Sequence, residues 1–385
     1  MTDRWLVIAH EATNSGAPRL LLEVLRGVRA VRGPEWSCVI LLDRGGPLAG
    51  EFAELGPVYR LSHPWSEGKG LWARAWRVLL DRPWLKPRRL RRQVREWRSA
   101  GEGLIYSNTA TNGRLLAALP ADAGRVLSHV HELEYGLRRF SRPQDLARTL
   151  ARSDHFIAVS ESVAQDLRAL GVGDRKISVV PNFLPVLPSL PDGEAARVAV
   201  CRQLKLPVGT RLVVGCGHID PLKGTDLFIE VARLVVNQVA GPVVFVWVGG
   251  DVDRGFAGEV RGAAPTWVRF TGEVADAGLY YAASEAVVVT SRVESFSRVA
   301  LEAGALGRPV LAYAASRGPV ELLDSESLVS GLAAQPMADA VSALLVDPGT
   351  ARRQGERLRA RIARDFLADR WIGRLLAVSE EVANG

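Results

Sequence analysis

The chain is short of cysteine, of long apolar runs and of repetition, and each shortage argues against a class of protein. Its three cysteines, Cys38, Cys201 and Cys216, never stand as a CxxC pair. A disulfide framework or a zinc ribbon is therefore not expected, and a reducing cytoplasm fits best. The apolar run Trp5–Ala9 near the amino terminus is only a strand's length, as is Val243–Val248. Neither reads as a signal peptide or a membrane span. No internal repeat or low-complexity tract is present, and the 37 glycines and 21 prolines are scattered, so no long disordered segment is expected.

What is present is the balance of a globular protein, 48% hydrophobic and 24% charged. At 385 residues it exceeds what one core ordinarily fills, which points to two domains. The net charge of +7 points to an anionic partner, whether nucleic acid, a phosphate-bearing substrate or acidic lipid.

Short β-branched runs alternate with stretches of helical period. The runs Trp5–Ala9, Ser37–Leu42, Val58–Leu61, Gly103–Tyr106, Arg125–Val130, His155–Val159 and Ile177–Val180 predict strands. Pro18–Val31 and Glu161–Leu170 predict helices, the second opening at Ser160 as its N-cap. Pro181, Pro185, Pro188 and Pro191 then interrupt any regular element, which predicts a linker. Beyond it, strands are predicted at Leu212–Cys216, Val243–Val248, Val268–Thr271, Ala286–Thr290 and Pro309–Tyr313, with helices at Thr225–Val236 and Arg298–Leu306. Strands alternating with helices predict parallel sheets, in which ligands bind beyond the strands' carboxyl ends.

Two strand ends carry candidate chemistry. Gly215-Cys216-Gly217-His218-Ile219-Asp220-Pro221-Leu222-Lys223-Gly224 offers close backbone approach and a lysine charge for phosphate, though it is equally a plain glycine turn with a solvated lysine. Thr290-Ser291-Arg292-Val293-Glu294-Ser295-Phe296-Ser297 leads into a helix that contains Glu302. A helix start with small polar residues binds phosphate through free N–H groups and the helix dipole. Glu294 and Glu302, eight apart, read by default as one cap and one surface carboxylate; what lifts them is position, since unneutralised carboxylates at such an anion site need a ligand's hydroxyls.

The run Ser291–Phe296, Val299–Ala303 and Gly307–Val310 resembles the glutamate-x7-glutamate signature of the retaining glycosyltransferases of family 4. The surrounding pieces agree in order. Gly217 to Gly224 looks like the donor-diphosphate loop, Val179-Val180-Pro181-Asn182 like the segment at the domain crossing, and Gly318-Pro319 with Glu321 like the glycine-rich turn that follows. Ser15-Gly16-Ala17-Pro18-Arg19 is similar to the first loop of the acceptor domain. The resemblance implies a GT-B α/β fold, two Rossmann-like domains with parallel sheets facing a cleft. Residues 1–187 would form the acceptor-binding domain and 188–365 the donor-binding domain, with a C-terminal helix at about 366–385 packing back on the first.

The same resemblance implies roles residue by residue. His131 would lie near the reacting carbon, Glu294 would contact hydroxyls of the transferred sugar, and Glu302 the ribose. Lys223 would neutralise the diphosphate, helped by N–H groups near Ser295, Phe296 and Ser297. Gly16 and Gly217 would let backbone approach the phosphates, and the loop containing Val274 would meet the base. No cofactor and no metal are implied. Asp251-Val252-Asp253 reads as a chance DxD in a glycine-flanked loop. One departure stands out: where the family usually has an arginine as a second phosphate ligand, this chain has His218, which offers one donor in place of a charged fork.

Five of the ten tryptophans, Trp65, Trp72, Trp76, Trp84 and Trp97, lie together, and eight lysines and arginines fall between Arg82 and Arg98. Leu90, Val94 and Trp97 share a helical face, so 82–98 reads either as an interfacial helix on an anionic membrane or as a helix docking its stripe on the acceptor domain. Nucleic acid is set aside, because no recognised binding module is present. The reading is thus a cytoplasmic, metal-independent transferase, free or peripheral at the inner membrane face, using a nucleotide-diphosphate sugar and a hydroxyl acceptor. The alternative is a nucleotide-sugar or anionic-surface binding protein that has lost catalysis.

Overall fold

A computed structural model describes residues 4–62, 85–101, 103–120, 122–251 and 254–385. Trp65, Trp72, Trp76, Trp84, Arg82 and Asp253 lie outside the described residues. By its contacts the chain divides into two compact units, one running to Pro185 and joined by Ala368–Gly385, the other Val186–Leu367.

In the first unit, β1 (Trp5–Ala9), β2 (Cys38–Leu42), β3 (Val58–Arg60), β4 (Leu104–Ser107), β5 (Val126–Val130), β6 (His155–Ala158) and β7 (Ile177–Val179) form one parallel sheet in the order 3-2-1-4-5-6-7. Strands β1, β4 and β5 are buried along their whole length, as a parallel sheet covered on both faces requires. The helix Gly16–Arg32 buries Leu21, Val24, Leu25 and Val28, and the C-terminal helix Ala368–Asn384 packs beside it. A Cβ on Gly27 would stand 2.6 Å from Ile372, so glycine is what lets these two helices approach. Ser160 caps the helix Glu161–Ala169 by accepting from the Val163 N–H at 3.1 Å.

The helix Leu85–Arg98 places Leu90, Val94 and Trp97 in the core cluster of this unit, beside Leu6, Ile105 and Leu116. Its apolar stripe therefore faces protein. Lys86 pairs with Asp43 at 2.9 Å, Arg89 donates to the Leu61 carbonyl and Arg91 to that of Ala118, while Arg88, Arg92 and Arg95 remain exposed. Docking on the domain is the arrangement observed, and the membrane reading loses the apolar face it relied on.

In the second unit, β8 (Arg211–Cys216), β9 (Val243–Val248), β10 (Val268–Phe270), β11 (Ala286–Val289), β12 (Val310–Tyr313) and β13 (Leu328–Val329) form a second parallel sheet in the order 10-9-8-11-12-13. Its core is built on Phe228, Phe245 and Trp247, whose rings meet edge to face at 5.2 and 5.4 Å from Phe228. Every strand expected from sequence forms with ends shifted by at most one residue, and β13 is additional. No helix or strand of more than a bridge forms between Val180 and Asp192, where the prolines stand; Asp192 then caps the helix Gly193–Gln203.

Candidate active site

In the second unit, chemistry gathers where β8 and β11 end side by side. The glycine loop after β8 is pinned to its neighbours: the Gly217 N–H donates to the Val248 carbonyl, the Trp247 indole to the Gly217 carbonyl, and the Ile219 N–H to the Gly250 carbonyl. The loop of Val274 joins through Gly249 N–H to Gly272 carbonyl at 3.0 Å. Gly224 ends the loop with a left-handed φ of +66°, and a Cβ there would lie 2.1 Å from the Thr290 carbonyl. Only glycine lets the lysine loop approach the β11 loop so closely.

That closeness brings Lys223 to Glu294. Its Nζ donates to Glu294 Oε2 at 2.8 Å, and Ser291 Oγ donates to the same oxygen at 2.8 Å. Burial works against the charge on Lys223, but the Glu294 carboxylate beside it more than offsets this and raises its pKa. Glu294 is held in turn by backbone: its N–H donates to the Ser316 carbonyl, and its carbonyl accepts from the Gly318 N–H at 2.8 Å. Ser297, in the left-handed region at φ 83°, caps the helix Arg298–Ala305 by accepting from the Ala300 N–H at 3.3 Å. Phe296, before it, is buried against Phe366. Within the helix, Arg298 Nε donates to Glu302 Oε1 at 2.9 Å. The expectation of two unneutralised glutamates is thus corrected: each has a cation partner, because the helical spacing of Arg298 and Glu302 and the closeness of the two loops supply one.

Three arginines here were not singled out from sequence. Arg292 ties the two loops together: its backbone N–H donates to the Leu222 carbonyl at 2.7 Å, and its guanidinium forks onto Asp226 and bonds the Pro221 carbonyl. Arg298 holds Glu302. Arg317 occupies φ 78°, ψ −64°, a strained turn for a non-glycine residue, directly paired with Glu294 through the bridge between their segments. The signal was available for Arg298, four residues before Glu302, but not for the other two, which depend on loops far apart in sequence. His218 is exposed on the same loop as Lys223. Asp251 forks onto Arg261 at 2.6 Å, a structural ion pair. Among the described residues no group of three His, Cys, Asp or Glu could hold a metal ion.

In the first unit, Gly16 opens its helix and is exposed, while His131 follows β5 and is half-buried. His131 Nε2 meets Asn108 Oδ1 at 2.9 Å, and its ring lies 4.4 Å from that of His129. His129 is fully buried, with Nδ1 2.5 Å from the Tyr106 hydroxyl, and Tyr106 stacks on Trp5. Burial lowers both histidines, His131 to about 3, and raises the Glu132 carboxyl despite the hydroxyl that Thr109 donates to it. Glu302 and Glu294 thus sit with Lys223, Ser295, Phe296 and Ser297 in one unit, and Gly16 and His131 in the other.

Two parallel sheets flanked by helices, with glycine loops and a helix start at the strand ends, define the GT-B architecture. HepE of Anabaena, in a crystal structure with UDP and glucose, superposes with a TM-score of 0.79 over 98% of this chain and 99% of that one, at 18% identity. WaaG, a glycosyltransferase involved in lipopolysaccharide biosynthesis, gives a TM-score of 0.72 over 99% of this chain and 100% of that one, at 12% identity. Residues 15–186 match Glycosyltransferase Family 4, and residues 210–347 match Glycosyl transferases group 1. The chain belongs to the family 4 glycosyltransferases. Among curated relatives, the D-inositol 3-phosphate glycosyltransferase of Xylanimonas cellulosilytica is 31% identical over 233 residues, 55% of this chain and 54% of that protein. The protein of the same name from Salinispora tropica is 32% identical over 266 residues, 62% and 55%. The chain spans about half the length of these curated relatives.

Proposed function

We propose that this chain moves a sugar from a nucleotide-diphosphate donor to a hydroxyl acceptor with retention of configuration. The observation that carries the reading is the Lys223–Glu294 pair, 2.8 Å apart and just ahead of the helix Arg298–Ala305. A lysine held charged by a carboxylate is a ready partner for a diphosphate. When the phosphates take the ammonium, Glu294 is released to accept hydrogen bonds from the sugar's hydroxyls. Glu302, steadied by Arg298, would accept hydrogen bonds from the ribose hydroxyls, and the N–H groups around Phe296 and Ser297 would donate to phosphate oxygens. Gly217 and His218, after β8, and Val274, after β10, would meet the donor as well, and Gly16 and His131 are the candidates that belong to the first unit.

In the reaction, the bond from the anomeric carbon to the diphosphate oxygen breaks while the acceptor oxygen bonds to that carbon from the same face. The acceptor's proton passes to the departing diphosphate. Lys223 and the helix start stabilise the charge that accumulates there, as preorganised electrostatics. Support comes from structural neighbours solved with UDP and with UDP-glucose. The curated relatives are named for D-inositol 3-phosphate, so that polyol phosphate is the first acceptor to try.

The test is a panel of UDP- and GDP-sugars scored for slow hydrolysis and for transfer. One donor should be turned over, with Lys223→Ala or Glu302→Ala lowering the rate by about 100-fold or more while leaving the fold intact. Chelation of metal should leave the rate unchanged. Full activity in either variant would sink the assignment. A second reading, a nucleotide-sugar binding protein without turnover, draws on His218, which lacks the fork of an arginine; calorimetric binding of UDP without hydrolysis of any donor would favour it. Peripheral contact with an anionic membrane is kept only as an electrostatic role of the exposed Arg88, Arg92 and Arg95.

A further inference from the structure

Asn108 is a buried side chain to which the sequence assigned nothing. It stands just past the end of β4, and three interactions fix it. Its backbone N–H donates to the Ile8 carbonyl at 2.9 Å. Its Nδ2 donates to the Ala17 carbonyl at 3.2 Å, next to Gly16 in the first loop. Its Oδ1 stands 2.9 Å from His131 Nε2. The contact with Ala17 settles which way the amide faces. Turned over, it would set two carbonyl oxygens against each other, neither with a proton to share.

With Oδ1 toward the ring, Nε2 must carry the hydrogen. Among the described residues no other group competes for that choice. His129 packs against the ring, but its Nδ1 is engaged with Tyr106 and its Nε2 is buried without a partner. Glu132 spends its oxygens on the Thr109 hydroxyl and on the backbone N–H of His131. The histidine is therefore oriented by an amide and not by a carboxylate. An amide fixes the tautomer without favouring the imidazolium, whereas a carboxylate does both.

We propose that Asn108 is a positioning residue that holds His131 as its neutral Nε2–H tautomer, leaving Nδ1 as a lone pair that accepts a hydrogen bond from a substrate hydroxyl. An acceptor of this kind discriminates by chemistry: it meets a hydroxyl favourably and a phosphate oxygen unfavourably. The same amide links the ring to the Gly16 loop, so displacement of that loop is felt at His131. The inference rests on the proposed function only where it assigns the ring a substrate; the tautomer stands apart from it.

The experiment is 15N NMR of the full chain labelled in histidine, with His131→Ala to assign the signal and pH varied between about 5 and 8, the range in which an unperturbed histidine titrates. The wild-type ring should show Nε2 protonated and Nδ1 bare throughout. In Asn108→Leu the tautomer should change, and in Asn108→Asp it should persist while the ring's pKa rises. Turnover of a donor should fall about 10- to 100-fold in Asn108→Leu, with KM little altered, and recover in part in Asn108→Asp at a shifted pH optimum. A wild-type ring protonated on Nδ1 overturns the proposal without any variant, and so does an unchanged tautomer in a folded Asn108→Leu. A changed tautomer with full turnover supports the lock and counts instead against a role for His131 in the reaction.

Discussion

At the scale of single residues, the first unit contains neutral histidines where water would leave them half charged. Above a pH of about 6.5 both rings are neutral in the folded and the unfolded chain, so their burial costs nothing extra. Below it the unfolded chain takes up protons that His129 and His131 refuse when folded. Stability is then lost as pH falls toward the folded value, about 3 for His131. The limiting slope is about 1.4 kcal/mol per pH unit for each ring. Glu132, whose carboxyl is raised, works in the opposite sense at the acid end of this window. Denaturant titrations at pH 7.5, 6.5 and 5.5 should show the decline, and His131→Asn should flatten it; a slope identical in wild type and variant would refute the buried neutral ring. His131 stands out only through the family resemblance, and Asn108, which settles its protonation, is illegible because the contact joins β4, β5 and the first loop across the sheet. Arg292 was missed for the same reason.

At the scale of elements, the strands were the most legible features, since the central ones, such as β1 and β9, are unbroken apolar runs buried on both faces. The short β13 lacks such a run and went unseen. The helix Leu85–Arg98 was legible in shape and ambiguous in use. Its stripe suits lipid or protein equally, and only the placement of Leu90, Val94 and Trp97 against Leu6 and Ile105 decides the matter. The two faces should therefore separate in experiment. Trp97→Ala empties a nearly buried site and should cost about 3–5 kcal/mol in urea unfolding. Replacing Arg88, Arg92 and Arg95 by glutamine should leave unfolding unchanged and abolish whatever co-sedimentation with anionic vesicles the protein shows at low salt. Vesicle binding that persists in the triple variant, or that survives high salt, would mean an apolar insertion the docked helix does not allow.

At the scale of the whole molecule, the division into two compact units makes each answerable to different perturbations. The proposed donor residues Lys223, Glu294 and Glu302 all belong to Val186–Leu367, so a nucleotide that binds them would stabilise that unit by mass action. At a free UDP concentration 100 times its Kd the gain is about 2.7 kcal/mol. Ile372, by contrast, sits in the C-terminal helix and fills the notch left by Gly27 in the first unit. Ile372→Ala should cost about 2–5 kcal/mol there while leaving the affinity for UDP unchanged. Hydrogen exchange read peptide by peptide checks both at once: UDP should slow exchange around Gly217–Gly224 and Ser291–Glu302, and Ile372→Ala should speed it in Gly16–Arg32 and β4. UDP protection that appears in the first unit's strands and not at Lys223 would overturn the proposed donor site. Protection at the Lys223 and Glu302 segments that leaves the first unit's strands unchanged, with Ile372→Ala felt in the first unit, is what two separately built sheets require.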